Sequence, residues 1–245
     1  MTKILLEAPV FTVEAAILAA SYGIDRIELC SNFGDGGETP SAGAIKFLKQ
    51  SISIPIFAMI RPRGGDFVYS KEEVFVMQED IRILGNLGAD GFVFGALTPE
   101  GKLDLEANKA LVECASGLPC TLHRAFDSTV DIFDSLESAI SCGFQRILTS
   151  GGENTVSEGL GNILSLLKSA GDRIIIIPGG GLKPEHIIDL HPSGYLREVH
   201  ASCKGRRPTL SKFRKPGLEL TMQDNILTID REVSEAFRKN FEKLP

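Results

Sequence analysis

A chain of 245 residues, 43% hydrophobic and 24% charged, can build one large domain or two small ones, because α/β barrels reach this size undivided. The net charge of −6 speaks against broad attraction to nucleic acid or anionic lipid, so any anion site must be a local gathering of basic residues. Five cysteines, odd in number and without a CxxC pair, argue against a disulfide framework and a structural zinc site and fit reduced thiols.

The chain opens on "TKILLEAPV", where three consecutive apolar residues precede Glu7. That run predicts a strand over residues 4–7 and is too short for a signal-peptide core or a membrane span, so the expected location is the cytoplasm. Four later stretches share one grammar: "YGIDRIEL" from Tyr22, "LGADGFVF" from Leu87, "CGFQRILT" from Cys142 and "AGDRIIII" from Ala170. In each, a glycine suited to a left-handed cap ends an amphipathic segment and a short strand-like run follows. Runs over 54–60, 119–124 and 197–202 bring the expected strands to eight.

Segments long enough for helices separate these strands. Expected caps are Thr39 before Pro40, Ser70 with Glu73, and Ser128 with Asp131. Val74, Met77, Ile81 and Leu84 form an apolar stripe at helical spacing. Eight βα repeats in one domain over 1–245 predict an α/β fold, a (β/α)8 TIM barrel. A doubly wound sheet would carry GxGxxG after its first strand, and "EAPVFTVEAA" has no glycine there. The tail breaks the grammar: "KGRRPTLSKFRKPG" holds six basic residues and no acid. It predicts a basic loop over 204–228, read as a solvated or subunit-contacting segment before an anion-gathering flap. A last helix follows over 229–243, capped by Asp230, with Val233, Ala236, Phe237 and Phe241 on one side.

In such a barrel the site forms at the carboxyl ends of the strands. Those ends carry Glu7; Glu28, Cys30 and Asn32; Arg61, Arg63 and Asp66; His123, Arg124 and Asp127; Thr149, Ser150 and Gly151; Gly179 and Gly180; and Glu198, His200 and Ser202. Residues two apart share a face, which pairs Glu28 with Cys30, Arg61 with Arg63, and Glu198 with His200 and Ser202. Any one of these could be a satisfied structural group; so many charges at one barrel end call for a reason, since each costs several kcal/mol, roughly, unless paired. Two guanidiniums suit a carboxylate or phosphate, and the "SGG" and "PGGG" runs expose amides where barrels often hold phosphate. As plain turn formers the glycines would need no ligand.

The motifs "RIELCSNFGDGGETPS", "IRPRGGDFVYS", "DGFVFGALTPEG", "LHRAFD", "RILTSGG", "IIPGGG", "REVHAS" and "FRKPG" resemble, in order and spacing, the CutC family of copper homeostasis proteins. The match runs from about the first strand to Gly217. This resemblance implies a TIM barrel, a cytoplasmic location, self-association as a dimer or tetramer, and copper handling. It places Cys30 at the family cysteine suspected of binding Cu(I). Some members carry further cysteines just after the first-strand glutamate; Ala8 and Pro9 stand there in this chain. Cu(I) favours more than one soft ligand, and Met59 on the neighbouring strand is a nearer partner than Cys203, whose parity is opposite to Ser202. Cys114, Cys120 and Cys142 read as packing residues.

Two functions follow. One is a copper homeostasis protein binding Cu(I) through Cys30, with no organic cofactor, His200 or His123 assisting. The other is a lyase or isomerase acting on a small phosphorylated or carboxylated metabolite. There Glu28 or Glu7 would be the base, His123 or His200 the acid or electrophile, and Arg61, Arg63, Asn32, Arg124, Asp127, Glu198, Ser202 and the Gly-rich amides the binding groups. A divalent ion on Glu7, Glu28, Glu198 and His200 is a variant of this reading.

Overall fold

The computed structural model describes residues 3–213, 215, 217 and 225–244. Eight short strands alternate with helices: β1 (Leu5–Val10), β2 (Arg26–Leu29), β3 (Ile56–Met59), β4 (Gly91–Phe94), β5 (Cys120–Leu122), β6 (Arg146–Thr149), β7 (Ile175–Pro178) and β8 (Glu198–His200). Parallel ladders run in the order β7-β6-β5-β4-β3-β2-β1-β8. At the remaining seam, Gly179 approaches so closely that a Cβ there would stand 3.0 Å from the His200 Cβ. The sheet is therefore a nearly closed barrel, the TIM-barrel fold expected from the eightfold repeat.

The helices α1 (Val13–Ser21), α2 (Ala42–Ser51), α3 (Lys71–Asn86), α4 (Leu105–Cys114), α5 (Ile132–Cys142), α6 (Val156–Ala170), α7 (His186–Leu190) and α8 (Arg231–Phe241) follow the strands. None of the described helices is long and apolar enough to cross a membrane. Ser70 and Glu73 close the expected capping box on α3, and Asp230 caps α8. Two other caps are shifted. Ser41 caps α2, because Thr39 Oγ1 is engaged with the Arg61 backbone instead. Asp131 caps α5, because Ser128 ends a 3-10 turn over Arg124–Ser128. On α8, Phe237 is buried while Val233 remains on the exposed side, and Ser234 takes the inner position.

The basic stretch expected as a loop begins as strand β9 (Lys204–Pro208), which pairs antiparallel with β10 (Asn225–Ile229). Alternate residues of β9 are exposed, as a half-buried strand requires. Arg214, Pro216 and residues 218–224 of that stretch lie outside the described residues.

Strand parity splits the interior in two. Ile27, Leu29, Ile56, Ala58, Phe92 and Phe94 point outward and pack under the helices in the main apolar core. Their alternate neighbours point into the barrel, where a small cluster of Cys30, Phe57, Met59 and Val93 is separate from that core. Below this cluster the barrel is filled by charge. Arg26 donates from Nε to Glu7 Oε2 at 2.5 Å and from Nη2 to Glu198 Oε2, while Arg146 Nε reaches the same Glu198 oxygen at 3.1 Å. Both guanidiniums lie over the Phe57 ring, at 4.4 and 5.3 Å from its centroid. Gly91 makes room for that ring, since a Cβ there would sit 2.6 Å from Phe57 Cζ.

The two carboxylates thus offset the desolvation of two buried guanidiniums, and the network survives only as a set. Arg26→Met is expected to destabilise the fold by about 3–5 kcal/mol, because it strands Glu7 and Glu198 without their shared partner. Urea denaturation checks it; a loss below about 1 kcal/mol would mean that the arginine bridges nothing of consequence.

Candidate functional site

The register that places Glu7 beside His200 and Pro9 beside Glu28 assembles a second polar layer above the charged one. His200 donates from Nδ1 to Glu7 Oε1 at 2.7 Å and stands 3.7 Å from Glu28 Oε2. With Glu7 already held by Arg26, four groups form a chain: guanidinium, carboxylate, imidazole, carboxylate. Glu7, Glu28 and His200 offer one ligand atom each within 4.8 Å of one another, a geometry that could hold a cation once the Glu7–His200 hydrogen bond opened.

Their proton affinities diverge for physical reasons. Burial by itself would raise the Glu7 carboxyl, but the Arg26 charge and the His200 hydrogen bond outweigh it and hold the group near a pKa of about 2. Burial acts on His200 in the opposite sense and is overcome by Glu7 and Glu28, so the imidazole holds its proton more tightly than usual. Glu28 has no such rescue: burial raises it, His200 opposes, and the Glu7 charge adds to the rise. Glu28 Oε2 has no hydrogen-bond partner, and Oε1 accepts only a long contact from Cys30 Sγ at 3.3 Å.

A cavity of about 310 Å³ opens above this layer, lined by Glu28, His200, His123, Arg61, Arg124 and Ser202 among the expected residues. Aromatic and aliphatic side chains, Phe11, Phe33 and Phe67 with Met59 and Leu148, supply most of the remaining wall. The β9–β10 hairpin contributes Lys204 and Thr228, so the basic stretch does reach the mouth. His123 follows β5 and begins the 3-10 turn; its Nδ1 accepts from Ala125 N at 3.2 Å, which fixes the other ring nitrogen as Nε2–H. Burial and then the Arg61 charge push its pKa down to about 3, so the ring is neutral.

Several expected binding groups are instead engaged by the protein. Arg61 is buried, yet Nη1 donates to the carbonyls of Asp35 and Gly37 and Nη2 to that of Gly65, tying the loop after β2 to the loop after β3. Gly65 adopts φ +81° to present its carbonyl, and a Cβ on Gly64 would lie 2.8 Å from the Asp35 side chain. The glycine pair therefore serves Arg61. Arg63 shares the parity of Arg61 but leaves the strand, pairs with Glu73 at 2.6 Å and with Asp66, and lies outside the cavity lining. Asn32, at φ 46°, spends its amide on Asp35 and Glu38 and stays outside the lining too.

The amides after β6 expected to bind phosphate are also occupied. Asp127 accepts from the N–H groups of Ser150 and Gly152 and from the hydroxyl of Thr149, while Gly151 N donates to Thr149 Oγ1. Arg124 completes the knot through Asp127, Ser150 and the Glu153 carbonyl. Gly180 packs against that guanidinium and Gly179 serves the barrel seam. Glu198 sits one layer below the cavity between Arg26 and Arg146. Arg26 and Arg146 escaped the sequence reading, although each sits two residues before an inward-facing position, Glu28 and Leu148, and therefore shares its face.

Cys30 is buried and its thiol is pushed well up, first by burial and then by the Glu28 charge. Its Sγ and the Met59 Cε both pack on Gly37, 3.2 and 3.6 Å from where a Cβ would stand. Cys203 is buried near Asp230, its pKa raised to about 12, mostly by burial. Cys120 and Cys142 are buried and Cys114 half-buried.

Comparison with known proteins agrees with this fold. The model of the CutC family matches residues 4–205. A human copper homeostasis protein cutC homolog is 44% identical over 216 residues, covering 88% of this chain and 79% of the human one. A CutC family protein of Xanthomonas campestris pv. campestris is 42% identical over 211 residues, covering 86% and 87%. The crystal structure of a CutC protein from Streptococcus agalactiae superposes with a TM-score of 0.76 at 35% identity, over 81% of this chain and 98% of that one. With its residues matched across the whole barrel and its fold shared, the chain belongs to the CutC family.

Proposed function

We propose that the copper-homeostasis role for which this family is named rests, in this chain, on a barrel-mouth site that binds a small metabolite and moves a proton on it, as a lyase or isomerase does. The observation that carries the reading is Glu28 Oε2, a buried carboxylate oxygen without a partner on the wall of the cavity. A carboxylate held above its ordinary pKa is a stronger base than one in water, and its affinity can be matched to neutral pH. Glu7 and Arg26 act as positioning residues by fixing His200.

Glu28→Gln tests this in two ways. A carboxyl whose folded pKa exceeds its unfolded one costs nothing at low pH and destabilises as pH rises through the folded value. The variant is therefore expected to be more stable than wild type at neutral pH, with the gain vanishing as pH falls below about 4.5, the ordinary carboxyl value. The same variant should lose proton exchange on any metabolite that the wild type accelerates. Equal stability across pH by urea melts, together with undiminished exchange, sinks the reading.

Cu(I) binding is a second reading, favoured by one observation: Cys30 and Met59, two soft donors, share the inner apolar cluster beside Glu28. Cu(I) would have to displace the Cys30 proton, which burial and Glu28 hold in place. Competition against a chromogenic Cu(I) chelator under reducing conditions is expected to show binding weakened at least about tenfold by Cys30→Ser and, to a lesser degree, by Met59→Leu. Identical affinity in wild type and Cys30→Ser removes the reading.

The cytoplasmic location is supported by five unpaired cysteines. Self-association is supported by exposed Phe47 on α2 and Phe75, Val76 and Ile83 on α3. Light scattering is expected to give a dimer or tetramer; a monomer at all concentrations rules it out.

A further inference from the structure

Seven buried side-chain nitrogen or oxygen atoms among the described residues have no hydrogen-bond partner, and four of them belong to residues lining one cavity: Glu28 Oε2, His123 Nε2, Arg61 Nε and Thr228 Oγ1. Buried polar atoms are satisfied with few exceptions, so a cluster of exceptions at one opening marks a place where a ligand or ordered water completes their hydrogen bonding. Their polarities are informative. Glu28 presents an acceptor. His123 presents a donor, because Ala125 occupies its other ring nitrogen. Arg61 presents its Nε–H, which has no partner.

We infer that His123 Nε2–H and Arg61 Nε–H together receive the carbonyl oxygen of an uncharged hydroxycarbonyl compound, opposite Glu28 acting on the carbon beside that carbonyl. The inference rests on the proton-transfer reading above and adds the substrate class and two catalytic residues.

The preference for an uncharged substrate comes from occupancy. Both Arg61 amino groups face backbone carbonyls, Arg63 faces Glu73, and the amides after β6 already hold the Asp127 carboxylate. Arg124 is neutralised by Asp127, and His200 by Glu7. Lys204 is exposed on β9 and lines the cavity beside Thr228, as the remaining cation of the rim. The wall is otherwise largely aromatic and aliphatic, and a cavity of about 310 Å³ lies within the size range of small-molecule sites.

The step balances without a co-reactant. Ionised Glu28 Oε2 takes the proton from the carbon next to the carbonyl, and the pair of the broken C–H bond forms the C=C bond of an enolate. The carbonyl π pair moves onto oxygen, where the two N–H donors hold the developing charge. Return of a proton from Glu28 to carbon restores the ketone or aldehyde with nothing oxidised or reduced. A neutral imidazole suits this task, since a donor already aimed at the oxyanion needs no reorganisation.

The test uses glycolaldehyde, dihydroxyacetone and erythrulose, and their phosphate esters, incubated with the full chain in D2O while proton NMR follows loss of the C–H signals beside the carbonyl. The wild type is expected to accelerate exchange of at least one uncharged compound over buffer and over the heat-denatured protein, and to prefer it to its phosphate ester. His123→Phe should slow that exchange about 10²–10³-fold, chiefly in kcat, and His123→Gln, which restores an N–H donor, should recover part of the loss. Both variants are compared at matched thermal stability, so that the glutamine variant carries the test should the phenylalanine variant misfold. Acceleration confined to the phosphate esters overturns the inference and leaves the proton-transfer reading standing. Acceleration of neither series overturns both. Exchange unaffected by either His123 substitution removes the oxyanion assignment alone.

Discussion

The bridge from Arg26 to Glu7 and Glu198 is the interaction on which the remainder of this barrel depends. TIM barrels are commonly filled by branched apolar side chains; here two arginines, two glutamates and a phenylalanine ring take that place. Once Glu7 is committed to Arg26 through one oxygen, its other oxygen is left to orient His200. The charges then pair off from the bottom upward, and Glu28 is the carboxylate left over. Its raised proton affinity is a consequence of that order: burial removes water, and the nearest imidazole is already engaged.

The loops above the barrel are held by internal substitutes for a ligand. Arg61 collects three backbone carbonyls from two loops, and Asp127 fills a nest of amides that would otherwise suit a phosphate. Such contacts stabilise the mouth in one arrangement before anything binds, which lowers the ordering cost at the moment of binding. They also narrow the chemistry. A rim in which Arg61, Arg63, Arg124 and the amides after β6 are engaged from within has less left to attract an anion, and selectivity passes to the few atoms that remain unpartnered.

Soft and hard donors lie on adjacent strands with a clear division. Cys30 and Met59 sit in an apolar pocket closed by Gly37, whereas the oxygen and nitrogen donors face the cavity. Glu28 touches both sides, accepting from Cys30 through one oxygen and leaving the other bare. Proton chemistry and sulfur coordination therefore compete for the same carboxylate. Ionised Glu28 opposes formation of a thiolate, and a metal on Cys30 would compensate that charge.

The eight βα repeats, the shared face of Glu28 with Cys30 and of Glu198 with His200, and the capping box at Ser70 were legible in the sequence because each depends on residues close along the chain or on the two-residue period of a strand. The family resemblance reached the same barrel through its motifs. Pairing across strands was not legible. That Arg26 neutralises Glu198, 172 residues away, that Arg63 turns back to Glu73, and that Asp127 occupies the glycine-rich amides all depend on which side chains the closed sheet brings within hydrogen-bonding distance. Likewise the basic stretch after Cys203 reads locally as a solvated loop, since its charges mask the alternation of a strand; only pairing with Asn225–Ile229 reveals a hairpin at the cavity. Sequence decided which polar groups stand at the strand ends, and tertiary structure decided which of them reach the cavity and remain free to act there, because a charge is spent or available according to neighbours that chain order does not specify.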